Sequence, residues 1–191
     1  MSIRAVESDQ TRVLLIFAHP YPERSRANHT LLSRVEDLPG VEVRSLYDLY
    51  PGFDIDVQAE QAALLRAHTV VWQHPIYWYS VPALLKHWFD KVLVRGFAYG
   101  EQGDNLHGKR CLWVATTGGP ESSYSPEGMH AHPFEKFVPV VEQTARFCGM
   151  HWEQPLIVHG AHQVTQTALD HTALAYRERI QNLLQSPRSA L

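Results

Sequence analysis

Cysteine is scarce in this chain. Cys111 and Cys148 are the only two among 191 residues, and they form no CxxC pair. That excludes a disulfide scaffold and a cysteine-ligated zinc ribbon. It fits a reducing compartment in which both thiols act as small buried hydrophobes. Long apolar runs are missing too. VLLIFA, residues 13–18, falls far short of the roughly 20 residues a membrane span needs. The opening MSIRAVESDQTR has scattered charges and no apolar stretch, so it does not read as a signal peptide. Nor is there an excess of positive charge. The formal net charge is -3, which argues against nucleic-acid binding and offers no basic patch to a lipid surface. The expectation is a cytoplasmic protein that reaches the cytoplasmic face of an inner membrane only through a protein partner.

What is present is the balance of an ordinary globular protein, with 45% apolar and 19% charged residues. The length suits one domain, burying about 70% of the surface its unfolded form exposes. No internal repeat, low-complexity stretch or linker interrupts it. One domain over 1–191 is expected, with 1–10 and 186–191 loose.

Two kinds of segment alternate. Continuous apolar runs at 12–18, 41–47, 69–73, 110–116 and 152–159 suit strands buried on both faces, as in a parallel sheet. Between and after them, 26–38, 56–68, 81–94, 133–148 and 165–184 have helical spacing. The first of these puts Leu31, Leu32, Val35 and Leu38 on one stripe; the second puts Val57, Gln61, Leu64 and Leu65 on another, with Asp56 as N-cap. Pro82 stands near the start of the third, and Pro139 interrupts the fourth. Strand and helix alternating five times predict a doubly wound α/β domain with right-handed crossovers.

In such a sheet, ligands bind beyond the carboxyl ends of the strands. Three segments there carry unusual residues. After the first strand, AHPYPERSRANHT (18–30) holds His19 and then Ser25, Arg26 and Asn28 at a helix start, where free N–H groups favour an anion. Ser25 reads equally well as a plain N-cap. The loop lacks the glycine fingerprints of dinucleotide sites and P-loops. After the third strand, Tyr77, Trp78 and Tyr79 are consecutive. Adjacent loop side chains cannot all enter one core, so some of this aromatic surface faces a planar ligand or a partner; a core-capping cluster is the alternative. After the fourth strand, TTGGPESSYSPEGMH (116–130) pairs Gly118 and Gly119 with a phenol, Tyr124, and an imidazole, His130. Glycines admit a ligand close to the backbone, and the two rings can donate hydrogen bonds or share a proton where negative charge develops. A simple Gly-Gly turn is the alternative. Twelve histidines raise the question of a metal, but none forms HxxxH on a helix or HExxH, and no metal is expected.

The runs AHPYPERSRAN, QHPIYWYSVPALLKHWFDKVL, GFAYG and TTGG together resemble the NAD(P)H:quinone oxidoreductase family of flavodoxin-like flavoproteins. The similarity runs from about residue 12 to 160, nearest to the ancillary oxidoreductases of bacterial glutathione-gated potassium efflux systems. The resemblance implies a flavodoxin-like five-stranded parallel sheet, order 2-1-3-4-5, with helices on both faces. It implies a flavin held by His19, Ser25, Arg26, Ala27 and Asn28 at its phosphate end. Ile76, Tyr77, Trp78 and Tyr79 would border the ring, and Thr116, Thr117, Gly118 and Gly119 its polar edge. Tyr124 and His130 match the catalytic tyrosine–histidine pair of mammalian members, and Tyr99 a tyrosine contributed across a homodimer boundary. The chain is shorter than the mammalian enzymes, which favours FMN, with FAD the alternative.

The implied activity is hydride transfer from NAD(P)H to the flavin and then to a quinone, by a ping-pong mechanism. A second role, activation of a membrane potassium efflux antiporter, coexists with it in the family. The competing classes are a non-catalytic flavin- or nucleotide-binding regulatory subunit of a transporter and a non-redox phosphate binder.

Overall fold

The computed structural model describes residues 12–185. The expected loose ends, 1–10 and 186–191, lie outside the described residues. Among the described residues six parallel strands form one sheet: β1 Val13–Phe17, β2 Val41–Ser45, β3 Thr69–Pro75, β4 Arg110–Thr116, β5 His151–Trp152 and β6 Leu156–Val158. The order is β2-β1-β3-β4-β5, with β6 pairing further along β4. The expected order 2-1-3-4-5 is therefore present, with one addition. The fifth apolar run divides into two short strands around Glu153–Pro155, because Pro155 has no N–H to give to the ladder.

Among the described residues six α-helices connect and cover the sheet: α1 Arg26–Ser33, α2 Leu46–Leu49, α3 Val57–Arg66, α4 Ala83–Val92, α5 Val138–Phe147 and α6 Gln166–Gln185. Alternation along each strand divides the core. Leu14, Ile16, Val70, Trp72, Cys111 and Trp113 pack on one face with Leu64, Leu84, Trp88, Val141 and Ala145. Val13, Leu15, Phe17, Val71, Leu112 and Val114 pack on the other with Leu31, Leu169, Tyr176 and Ile180. Both cysteines are free and buried. No helix of the described residues is long and apolar enough to cross a membrane.

The helices depart from the sequence expectation in local ways. The first stops at Ser33, and Val35 and Leu38 reach the core from the turns that follow. Leu46 and Tyr47, expected to extend the second strand, open α2 instead. Pro139 does not interrupt α5; it sits in its first turn, where its missing N–H costs nothing. In α3 Asp56 caps as expected, accepting from Ala59 N–H at 3.0 Å, but Leu65 is exposed and Glu60 is buried in its place. That carboxylate is fully partnered. It accepts from Arg44 Nε at 2.6 Å, the Tyr50 hydroxyl at 2.5 Å and the Trp88 indole at 2.8 Å, tying β2, α3 and α4 together beneath the carboxyl ends of the strands.

Candidate active site

The sheet order reverses direction at β1, so the loops after β1 and β3 part there and leave a crevice. Two adjoining cavities occupy it, sharing Ile76 and Gly118 in their walls. The first, about 350 Å³, is lined by His19, Ser25, Arg26, Ala27, Ile76, Tyr77, Thr116, Thr117 and Gly118 from the expected set. The second, about 240 Å³, is lined by Ile76, Trp78, Tyr79, Gly118, Gly119, Tyr124 and His130.

At the first end the chain turns into α1. Ser25 caps it, its hydroxyl accepting from Asn28 N–H at 3.3 Å. The remaining N–H groups of that first turn have no acceptor within the helix, which makes an anion-favouring floor. His19 is buried, which pushes its imidazole below the usual range against the nearby Glu23 carboxylate; its Nδ1 accepts from Tyr21 N–H at 3.0 Å. Arg26 and Asn28 behave differently from the rest. The Arg26 guanidinium spans to the carbonyls of Ala161 and Val164 at 3.3 and 2.5 Å, strapping the loop before α6 to α1. Asn28 does not line the cavity. Its buried amide donates to Thr116 Oγ1 at 2.8 Å, joining α1 to the end of β4.

At the second end, Tyr77 and Ser80 exchange backbone hydrogen bonds across a two-residue turn. Both central residues, Trp78 and Tyr79, have positive φ, at 50° and 62°. Tight turns of this kind favour Asn-Gly, so bulky aromatics here are strained. The strain displays Trp78, 94% exposed, at the lip. Tyr79 stacks on Phe137, and its hydroxyl lies 3.3 Å from His130 Nδ1. Beneath it, the Glu121–Ser123 turn and the bonds from Tyr124 N–H to Glu121 and from His130 N–H to Ser123 fold 120–131 back on itself. Tyr124 thereby stacks on His130. Burial pushes the Tyr124 phenol up, a hydrogen bond with Thr117 opposing.

The two glycines have distinct surroundings. A Cβ on Gly118 would meet no protein atom and would project into open space between the cavities; one on Gly119 would lie 3.1 Å from His130 Nε2. The Gly119 carbonyl is held by Gly160 N–H at 2.8 Å and the Thr117 hydroxyl at 2.7 Å. The N–H groups of Gly118 and Gly119 donate to no described group. An anion-favouring helix start, an open Gly118 and unpaired amides beside aromatic rings fit a planar ligand with a phosphate tail.

Tyr99 stands apart. It packs on Phe147 of α5 in a third hollow, about 340 Å³, that shares no residue with the crevice. Sequence reasoning missed Tyr21, Arg24, Pro75, Ala161 and His162, which complete the first cavity. It also missed His159, whose Nδ1 is 3.1 Å from Thr117 Oγ1. His159 ends the fifth apolar run and Ala161 and His162 lie just past it, at a strand end like the other three, and that position was the available signal. Among the described residues no three His, Cys, Asp or Glu side chains gather into a metal site.

The family model described as the flavodoxin-like fold matches residues 11–182. Solved structures agree. General stress protein 14 from Treponema denticola, in complex with FMN, is 31% identical, with a TM-score of 0.84 over 90% of this chain and 99% of its own. An NADPH-quinone reductase from P. pentosaceus is 28% identical, with a TM-score of 0.79 over 88% and 96%. A protein described as a thermophilic tryptophan halogenase from Streptomycin violaceusniger is 34% identical, with a TM-score of 0.83 over 87% and 97%. Those names differ in the reaction they give, so the likeness fixes ancestry and fold while the chemistry has to come from the site. By motif, by family model and by fold, the chain belongs to the flavodoxin-like NAD(P)H:quinone oxidoreductase family.

Proposed function

We propose that this protein is an FMN-dependent NAD(P)H:quinone oxidoreductase. The observation that carries the reading is the adjoining pair of cavities. One is floored by the first turn of α1 and walled by Arg24 and His162, which suits a phosphate; the other is floored by Gly118 and Gly119 and walled by Tyr79, Tyr124 and His130, which suits a flat ring. The FMN bound to the Treponema denticola protein and the NADPH-quinone reductase name of the P. pentosaceus protein support it. Bound FMN supplies a two-electron carrier that accepts a hydride and passes it on. The chain's own groups do the rest. Ser25 and the α1 N–H groups hold the phosphate. The free N–H groups of Gly118 and Gly119 would hold the polar ring edge and would offset negative charge there. Tyr124, backed by His130, holds a proton for the quinone oxygen. The single open site beside Gly118, Tyr79 and Tyr124 would admit NAD(P)H and quinone in turn, which would give ping-pong kinetics.

The test is the visible spectrum of the protein incubated with FMN and desalted, then given NADPH without oxygen, then a quinone. A retained flavin band that bleaches and returns supports the enzyme. No retained flavin refutes it, and a band that never bleaches leaves a non-catalytic flavin-binding subunit.

Two finer parts belong to the same reading. The protein is a homodimer: Tyr99 shares its hollow with Val140 and Phe147, apolar side chains 65% and 62% exposed on α5. Light scattering that gives a monomer would reject this. On its motif resemblance, the protein also activates a glutathione-gated potassium efflux antiporter and so sits peripherally on the inner membrane. Efflux that is unchanged when the protein is removed from cells carrying such an antiporter would reject that role.

A further inference from the structure

The proposed reaction uses Tyr124 and His130, but a third ring touches the same group. His159 follows β6, its ring centroid 5.4 Å from that of Tyr124. Its Nδ1 is 3.1 Å from the Thr117 hydroxyl, which donates to the Gly119 carbonyl and stands close enough to the Tyr124 phenol to oppose the upward push of burial on it. His159 does not line the crevice. It lines a separate hollow of about 640 Å³ with Glu121, Glu135, Glu142, Phe134 and Trp152, and no residue of that hollow belongs to the crevice walls.

Reduction of a quinone to its hydroquinone consumes one hydride and one proton. Tyr124 is only 9% exposed, and a flat substrate over the ring-binding end covers that remaining side. A proton given up by Tyr124 is then replaced either by His130, stacked on it in the crevice wall, or from behind. We infer that His159 is the first member of a proton relay that runs from the hollow through Thr117 to Tyr124. The inference rests on the quinone-reductase reading. His159 takes a proton from hollow water on Nε2 and gives its Nδ1 proton to Thr117 Oγ1. The Thr117 hydroxyl turns from the Gly119 carbonyl and gives its own proton to Tyr124 Oη, as Tyr124 protonates the quinone oxygen. One proton enters from the hollow, one leaves in the crevice, and no electron moves along the chain. The groups facing His159 suit this. Burial holds its imidazole below the usual range, so it releases a proton readily, while the Glu121 and Glu135 carboxylates oppose that shift and attract protons to the hollow.

The experiment has two arms. In the flavin-free protein, ¹⁵N-histidine NMR reads which nitrogen of neutral His159 carries the proton. The relay needs Nδ1, and a proton on Nε2 overturns it. In the FMN-loaded protein, stopped-flow absorbance separates the half-reactions for wild type and His159→Gln. Glutamine keeps an N–H for Thr117 but cannot pass a proton. The relay predicts a quinone half-reaction slowed by about 10- to 100-fold and an NADPH half-reaction within about twofold of wild type. Added imidazole should restore His159→Ala. His159→Gln reacting like wild type with quinone, or slowed equally in both halves, overturns the relay and leaves the enzyme reading intact. A protein that binds no flavin or never bleaches removes both.

Discussion

Tyr124 and His130 lie face to face, ring centroids 4.3 Å apart at an interplanar angle of 28°. Their approach depends on glycines. His130 stands against the bare α-carbon of Gly119, and a Cβ on Gly128 would collide with the Ser123 carbonyl in the same fold-back. The pair should act as one unit. Tyr124→Phe keeps the stack and loses the hydroxyl; His130→Gln keeps a polar group and loses the ring. Each is expected to lower quinone turnover by about 10- to 100-fold with FMN retained. The double variant should lose little more than the worse single one. Turnover with a saturating quinone checks this, and multiplying losses would mean independent roles.

Gly118→Ala and Gly119→Ala should separate binding from chemistry. The Gly118 Cβ meets no protein atom, so thermal stability should hold while FMN affinity falls about tenfold or more. That loss would reflect a methyl group placed where the proposed ring edge would lie. The Gly119 Cβ instead presses on His130, so FMN should stay bound more nearly as in wild type and turnover should fall. Fluorescence titration of FMN and a melting curve distinguish the two.

The turn at Trp78 and Tyr79 trades stability for display. Trp78→Asn should relieve left-handed strain worth about 1 kcal/mol and raise the melting temperature of the flavin-free protein, because the exposed indole contributes little burial. The same change should weaken quinone binding. A variant no more stable than wild type would show that the positive φ costs nothing.

Acid should destabilise the protein through His74. The ring is fully buried, Nε2 accepting from the Trp113 indole at 2.7 Å and Nδ1 lying 2.8 Å from the Pro75 carbonyl. Burial lowers its pKa from 6.5 to about 4. The unfolded chain then binds the extra proton first. Stability present above pH 6.5 is lost as pH falls towards 4, by about 3 kcal/mol across that window. His19 and His159 shift in the same direction. Urea denaturation of His74→Asn against wild type should show a shallower slope over that range.

Glu60→Ala should be among the most damaging single changes outside the crevice. It strands the Trp88 indole and leaves Arg44 and Tyr50 without their shared acceptor, at a cost of about 3–5 kcal/mol. Glu60→Gln should recover part of that loss in chemical denaturation.

Much of the fold could be read from the chain because buried parallel strands need continuous apolar runs. VLLIF, TVVWQHP and CLWVAT are buried along their whole lengths. The division of the fifth run and the start of α5 were less legible, since one proline decides each, Pro155 and Pro139, and its effect depends on which N–H the ladder or helix would have used. Leu65 and Glu60 exchanged their expected environments because helical spacing says which residues share a face, not which face meets the sheet. The buried choice fell to Glu60, which found three donors.

The sequence by itself determined the alternation of strands and helices, the strand ends where a ligand can lie, and the residue types gathered there. Those properties follow from local periodicity and from which side chains water tolerates. Tertiary structure alone decided which of those residues meet. It turned Asn28 away from the cavity into a brace on Thr116, drew Arg26 to the Ala161–Val164 carbonyls, separated Tyr99 from the crevice and brought His159 to Thr117. Such contacts join residues that lie far apart along the chain, and a hydrogen bond depends on distances of a few tenths of an ångström that only the packed sheet and helices can set.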